Sequence, residues 1–344
     1  MIRFNNDYNR ACHEEILKAL QNSAGDSFGG YGLDEMCDKA KIEIKKYLDC
    51  ENADVHFLVG GTQTNFTVIS SLLKPFECVL CADTGHINVH ETGAVENTGH
   101  KVCALPSDFG KITASQVEKE AVLFEESDIK EHITRPKMVY ISFPTEVGTI
   151  YTKEELYALR EVCDRHGLYL FIDGARLGYG LACDECDVTA ADIAKVSDVF
   201  YFGGTKCGAM FGEAVVFTRR DLSEDFRSYI KMNGAMLAKG WLLGLQFYTL
   251  FKDGLYFDIC RNANKYAMMI KKAFADKNIP FWFDSPTNQQ FVILENKVME
   301  KLAGKYVFEY ERKVDENHAC VRFCTAWSTR EEEVKELVSD IAKL

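Results

Sequence analysis

Apolar residues recur along this chain in two rhythms. Short unbroken runs at 79–81, 101–105, 138–143, 168–172, 199–202 and 214–218 predict strands buried on both faces. Helix-length segments lie between several of them, at 62–73 after a Gly-Gly turn and at 115–124, 153–166 and 188–195. Strands separated in this way build βαβ units and a largely parallel sheet, an α/β fold. The run at 214–218 follows its predecessor without a helix, so it is expected to pair differently. Ligands of such sheets sit at the carboxyl ends of the strands, which places Asp173 and Lys206 at the functional edge.

Beyond residue 236 the texture changes. Segment 237–251 predicts an apolar helix and 257–275 an amphipathic one; strand-like runs follow at 290–294 and 320–325, then an acidic closing helix at 329–344. This predicts a large domain over 1–240, N-terminal segment included, and a smaller α+β domain over 241–344. Apolar side chains on several faces of 237–251, with Trp241, Phe247, Tyr248 and Phe251 among them, predict a partner surface and a homo-oligomer.

Composition narrows the class. Hydrophobic residues at 47% and charged residues at 27% exclude a disordered chain. A net charge of −12 without a Lys/Arg stripe argues against a nucleic-acid partner. The longest uncharged apolar stretch, 240–251, is too short to span a bilayer, and the first ten residues lack the apolar core of a secretion signal. An odd count of 13 cysteines fits reduced thiols and a cytoplasmic protein. Cys78/Cys81 and Cys183/Cys186 have CxxC spacing, but so many cysteines give roughly half a pair at any one spacing by chance. The first pair also sits in a strand-like run whose alternate side chains diverge, so no metal is expected.

The candidate chemistry lies at the strand ends. Lys206 follows a buried run and is framed by Gly203-Gly204 and Gly208. A lysine desolvated there loses its proton more easily and becomes a nucleophile toward carbonyls; a solvated loop lysine is the plain alternative. Asp173 ends a continuous apolar strand, and a buried carboxylate needs a partner. That partner is either Arg176, as a structural ion pair, or a protonated heterocycle. An aspartate for a pyridinium nitrogen and a Schiff-base lysine together match what pyridoxal 5′-phosphate requires. Gly61 and Thr62 open a helix whose free N–H groups suit a phosphate, though Gly-Gly-Thr also makes an ordinary capped turn. His86 could stack on a flat cofactor or be a surface histidine.

Taken together, GGTQTN at 60–65, the H-I-x-x-x-E-x-G-A pattern from His86, FIDGARL at 171–177 and the glycine-framed Lys206 resemble the low-specificity threonine aldolases. The likeness runs from Asn6-Asp7 to Arg322. It implies a type I pyridoxal-phosphate transferase fold and a homotetramer built as a dimer of dimers. It further implies that Lys206 is the Schiff-base lysine, Asp173 holds the ring nitrogen, His86 stacks on the ring, and Gly61 and Thr62 bind the phosphate. Asn6, Arg176 and Arg322 would bind the substrate carboxylate, for which a guanidinium fork is well shaped.

Three departures stand out. Asn6 replaces the family's serine, Glu146 stands where a histidine is usual, and Asn233-Gly-Ala-Met-Leu237 lacks an arginine for which Lys239 could substitute. The expected activity is cleavage of a β-hydroxy amino acid, threonine or allo-threonine, to glycine and an aldehyde; Glu146 is the candidate base at the β-hydroxyl, a role that His86 or an ordered water could take or share, and a solvated loop carboxylate is its plain alternative. A β-eliminating lyase or an aminotransferase on the same scaffold is the alternative, followed by a non-catalytic binding protein.

Overall fold

Residues 1–344 are described by a computed structural model. The chain starts with β1 (Ile2–Arg3), α1 (Glu14–Asn22) and α2 (Glu35–Lys45). It then alternates through β2 (Asp54–Leu58), α3 (Gly61–Leu72), β3 (Glu77–Ala82), α4 (His86–Val89), β4 (Lys101–Leu105), α5 (Ala114–Glu125), β5 (Arg135–Ser142) and α6 (Lys153–Arg165). Next come β6 (Tyr169–Asp173), α7 (Leu177–Leu181), α8 (Ala190–Val196), β7 (Val199–Gly203) and β8 (Glu213–Phe217). Strands β2 to β8 form one seven-stranded sheet in the order β2-β8-β7-β6-β5-β3-β4. Neighbours from β4 through β7 run parallel, and β8 runs antiparallel to both β7 and β2. The helix-free connection before β8 therefore has the consequence expected of it. The pattern of the sequence passes over β2, because Asp54 and His56 interrupt its apolar run.

Period-2 alternation feeds two cores. Val139, Ile141, Leu170, Ile172, Phe200 and Phe202 face one side, while Met138, Tyr140, Phe171, Val199 and Tyr201 face the other. Capping boxes at Thr113–Gln116, Thr152–Glu155 and Thr189–Asp192 start the crossover helices α5, α6 and α8.

The C-terminal part comprises α9 (Phe226–Met232), α10 (Trp241–Phe251), α11 (Leu255–Ala275), β9 (Gln289–Glu295), α12 (Asn296–Ala303), β10 (Tyr306–Val307), β11 (Glu309–Lys313), β12 (His318–Cys324) and α13 (Glu331–Ile341). Its antiparallel sheet has the order β11-β12-β9. Ile270, Phe274, Val292, Phe323 and Leu337 pack there into a separate core.

Two elements cross the boundary expected near residue 240. Helix α10 is largely buried and packs on α2 and α1, so its apolar faces are covered within one chain and do not by themselves call for a partner. The N-terminal segment goes the other way, with β1 parallel to β10 and Phe4 in the C-terminal core. Helix α11 serves both cores, Ile259 and Ala263 in one and Ile270 and Phe274 in the other. We propose that the division between domains runs through the middle of α11.

The ends of β6 and β7 meet closely at glycines. A Cβ on Gly174 would lie 1.7 Å from the Tyr201 carbonyl oxygen. Gly174→Ala must therefore push the two strand ends apart, and should lower the unfolding free energy by about 2–3 kcal/mol in urea titration. A wild-type midpoint would contradict this close approach.

Candidate active site

The carboxyl ends of the parallel strands surround a cavity of about 540 Å³, within the usual range for small ligands. Gly61, Thr62, His86, Glu146, Asp173, Arg176, Lys206 and Arg322 all line it. Asn6 does not. Its Oδ1 accepts the Tyr8 N–H at 3.2 Å, the local turn that short amide side chains favour, and Tyr8 reaches the cavity instead.

Asp173 ends β6 with 4% of its surface exposed. Oδ2 accepts from Tyr140 Oη at 2.5 Å and Asn65 Nδ2 at 3.0 Å; Oδ1 accepts from Tyr201 Oη at 2.5 Å and the Ala175 N–H at 2.9 Å. Burial pushes its pKa upward, but the field of His86 and these hydrogen bonds outweigh burial and hold it below the ordinary carboxylate value. Asp173 is thus a stable anion facing the cavity. Arg176 is not its partner.

Arg176 is committed to Asp7. Its Nε donates to Asp7 Oδ2 at 2.7 Å and its Nη2 to Oδ1 at 3.0 Å, and Asn288 Nδ2 adds a bond of 3.0 Å to Oδ2. Only Nη1 of Arg176 is left without a protein partner. Arg322 donates from Nη1 to Gln289 Oε1 at 3.2 Å and lies 3.4 Å from Glu311. Its Nη2 also donates to the Asn5 carbonyl at 3.4 Å, so Arg322 lines the cavity with each of its nitrogens near a protein acceptor.

His86 begins α4, and its Nδ1 lies 2.7 Å from Glu91 Oε1. This contact fixes the orientation of the imidazole ring. Asn65 Nδ2 bonds the same Glu91 oxygen at 2.8 Å and joins this pair to Asp173. The His86 N–H and Ser142 Oγ both donate to Glu146 Oε1, at 2.9 and 2.6 Å, leaving Oε2 unbonded. Burial raises the Glu146 pKa, against the Ser142 hydrogen bond.

Helix α3 starts at Gly60 with no side-chain cap, so the N–H groups of its first turn are free toward the cavity. Lys206 follows β7, its carbonyl held by Tyr179 Oη at 2.6 Å. Burial lowers its pKa, and Arg176 adds to the effect. Lys239 is exposed and does not line the cavity of its own protomer.

Sequence reasoning missed Asn65, Tyr140, Tyr201 and Glu213. For Tyr140, Tyr201 and Glu213 the available signal is a polar group inside a buried strand, which needs a partner; Asn65 lies on α3 and gives no such signal. The thirteen cysteines are all free. Cys183 and Cys186, one of the CxxC pairs, donate to the backbone carbonyls of Pro286 and Val188. No helix is long and apolar enough to cross a membrane.

Comparison with known proteins follows the same direction. The Beta-eliminating lyase family profile matches residues 10–314. A low specificity L-threonine aldolase of a Pseudomonas species is 31% identical over 97% of this chain and 95% of its own length. The structure of a Leishmania major threonine aldolase superposes with a TM-score of 0.96 at 42% identity, covering 100% of this chain and 99% of that one. A Thermus thermophilus aspartate aminotransferase, at TM-score 0.72 and 14% identity over 100% of this chain and 91% of its own, shares the fold.

Asp7→Ala would leave Arg176 buried without its partner. It should cost about 3–5 kcal/mol of stability at neutral pH. Burial raises the Asp7 pKa, but Arg176, Lys206 and its hydrogen bonds together depress it, so the stabilisation is present above the ordinary carboxylate value and is lost as pH falls through the depressed one. Urea titrations of the two proteins should accordingly converge in acid; a constant gap down to low pH would contradict the ion pair.

Proposed function

Because the chain belongs to the Beta-eliminating lyase family, and within it to the low-specificity threonine aldolases, we propose that it cleaves β-hydroxy amino acids, threonine or allo-threonine, to glycine and an aldehyde. The observation that carries this reading is the placement of Asp173 and Lys206 at adjacent strand ends of one cavity, opposite the uncapped start of α3. These groups fit pyridoxal 5′-phosphate. Free amides at a helix N-terminus suit the phosphate, an ionised buried carboxylate suits a ring N–H, and a lysine with a lowered pKa suits covalent attachment. When bound, the cofactor supplies an electron sink for the pair released at the substrate Cα.

The side chains of this protein do the rest. Asp173 keeps the ring nitrogen protonated. His86, its ring fixed by Glu91, covers the ring face. Nη1 of Arg176, with the Arg322 guanidinium that lines the same cavity, holds the substrate carboxylate. Glu146 Oε2 takes the β-hydroxyl proton as the Cα–Cβ bond breaks and the β-carbon leaves as an aldehyde. Its raised pKa makes it a stronger base than a solvated carboxylate. This arrangement gives Glu146 the part that a histidine plays in the family pattern.

We also assign the protein to the cytoplasm, on its thirteen free thiols. We further propose a homotetramer, a dimer of dimers, to which exposed Tyr31, Leu33 and Met232 would offer apolar surface.

Lys206→Ala should abolish glycine release from threonine and prevent borohydride from fixing the cofactor to the chain, as read by mass spectrometry. Persistent attachment would sink the assignment. Glu146→Gln should lower kcat about a hundredfold or more with little change in KM, because the lost interaction belongs to the transition state. Unchanged turnover on the best substrate would remove Glu146 from the reaction.

A further inference from the structure

One carboxylate in the cavity has no part in this chemistry. Glu213 is the first residue of β8, where it pairs across to Leu58 at the end of β2 and to Gly203 at the end of β7. It is thereby wedged between the glycine turn that opens α3 and the loop that carries Lys206, with 3% of its surface exposed. Its Oε2 accepts the Gly204 N–H at 3.0 Å, and its Oε1 lies 2.9 Å from Thr205 Oγ1. Thr205 Oγ1 in turn accepts the Gly212 N–H at 3.1 Å. Glu213 and Thr205 line the cavity together with Gly60, Gly61 and Thr62.

An anion is an unexpected neighbour for a phosphate. The arginine of the family pattern is absent from this chain, and the cavity's two arginines are engaged by Asp7 and Glu311. On the reading that pyridoxal phosphate sits here with its phosphate at the start of α3, we propose that Glu213 is a proton-operated switch on the phosphate cup, which accepts the phosphate only when Glu213 is a neutral acid.

Thr205 gives the switch its mechanism. A hydroxyl has one hydrogen to donate and two lone pairs. With Glu213 ionised, the Thr205 hydrogen is spent on Oε1. With Glu213 protonated, the proton on Oε1 is donated to Thr205 Oγ1, whose second lone pair already takes the Gly212 N–H. The Thr205 hydrogen is then free to bond an anion in the cup, and the like-charge repulsion is gone.

Burial pushes the Glu213 carboxyl up to about 8, against the Thr205 hydrogen bond and the attraction of Lys206. The other titratable groups that face it are Asp173 on β6, Tyr201 on β7 and Tyr256 on α11. Leu58, its register partner on β2, carries no charge, and neither do Leu243 and Phe247 of α10, which pack against the adjoining Gly212. The cup is therefore open below about that pH and closes above it.

Calorimetric titration of the full-length, cofactor-stripped chain tests this, with pyridoxal 5′-phosphate and pyridoxal as probes, from about pH 6.5 to about 9.5 in buffers of different ionisation enthalpy. Pyridoxal shares the carbonyl chemistry with Lys206 but has no phosphate. For wild type, the Kd of the phosphate ester relative to pyridoxal should rise about tenfold per pH unit above about 8, with about one more proton taken up. Glu213→Gln, whose amide can donate to Thr205 at any pH, should flatten that ratio and bind the ester about tenfold more tightly than wild type near pH 9. Thr205→Val should remove most of the ester's advantage below about pH 8. A wild-type slope retained in Glu213→Gln, or an equal slope for pyridoxal, would overturn the switch. Failure of wild type to bind the ester at any pH would instead remove the cofactor reading on which it rests.

Discussion

An ionised carboxylate kept away from water at the end of β6 sets the terms for everything around it. Burying such a charge costs several kcal/mol, while each hydrogen bond to it returns about 1.5–3 kcal/mol. One or two donors would leave Asp173 protonated or the site unfolded; it has four. They come from the turn after β6, from the strands on either side and from α3, so the strand order β7-β6-β5 is a requirement of the charge as much as of the sheet. Asn65 then passes the constraint outward to Glu91 and His86. The imidazole that would cover the ring and the carboxylate that would hold its nitrogen are thus parts of one hydrogen-bonded body.

The sequence made some of this legible and hid the rest, for physical reasons. Parallel strands buried on both faces are continuous apolar runs, and glycine-framed lysine and aspartate at their ends are local signals. Strand β2 was missed because it mixes polar and apolar residues, and its partner β8 is distant in sequence. Arg176 lines the cavity, but its bond to Asp7 spans most of the large domain's length and leaves no trace in local pattern. Tyr140 and Tyr201 read as core aromatics because only their hydroxyl groups, not their rings, betray the site. Asn6 was read through its family counterpart, whereas its amide bonds its own turn. Helix α10 looked like an interface because burial under α1 and α2 gives the same sequence pattern as burial under a second chain.

Fold and reaction separate cleanly in this protein. An aminotransferase shares the architecture at 14% identity, and the scaffold alone does not select a bond to break. On the proposed reading, the difference lies in a few side chains on the loops after β3 and β5. There a buried carboxylate, Glu146, is fixed by the backbone of the same histidine that would cover the ring. The proposed base and the proposed stacking group therefore share a hydrogen bond, which would tie where the proton goes to where the substrate is held.

The first strand has a temporal meaning. Phe4 belongs to the C-terminal core and β1 hydrogen-bonds to β10, yet Asp7, a few residues on, grips Arg176 in the large domain. A ribosome delivers residues 2–7 well before their partners: the C-terminal core that holds Phe4 begins at Tyr266, and β10 comes later still. During translation the central sheet can form with Arg176 still lacking its settled counter-ion. The cavity has its full set of charges only once the C-terminal core holds the N-terminal strand, so a chain that ends short of that core would carry Lys206, the proposed cofactor lysine, without a finished pocket.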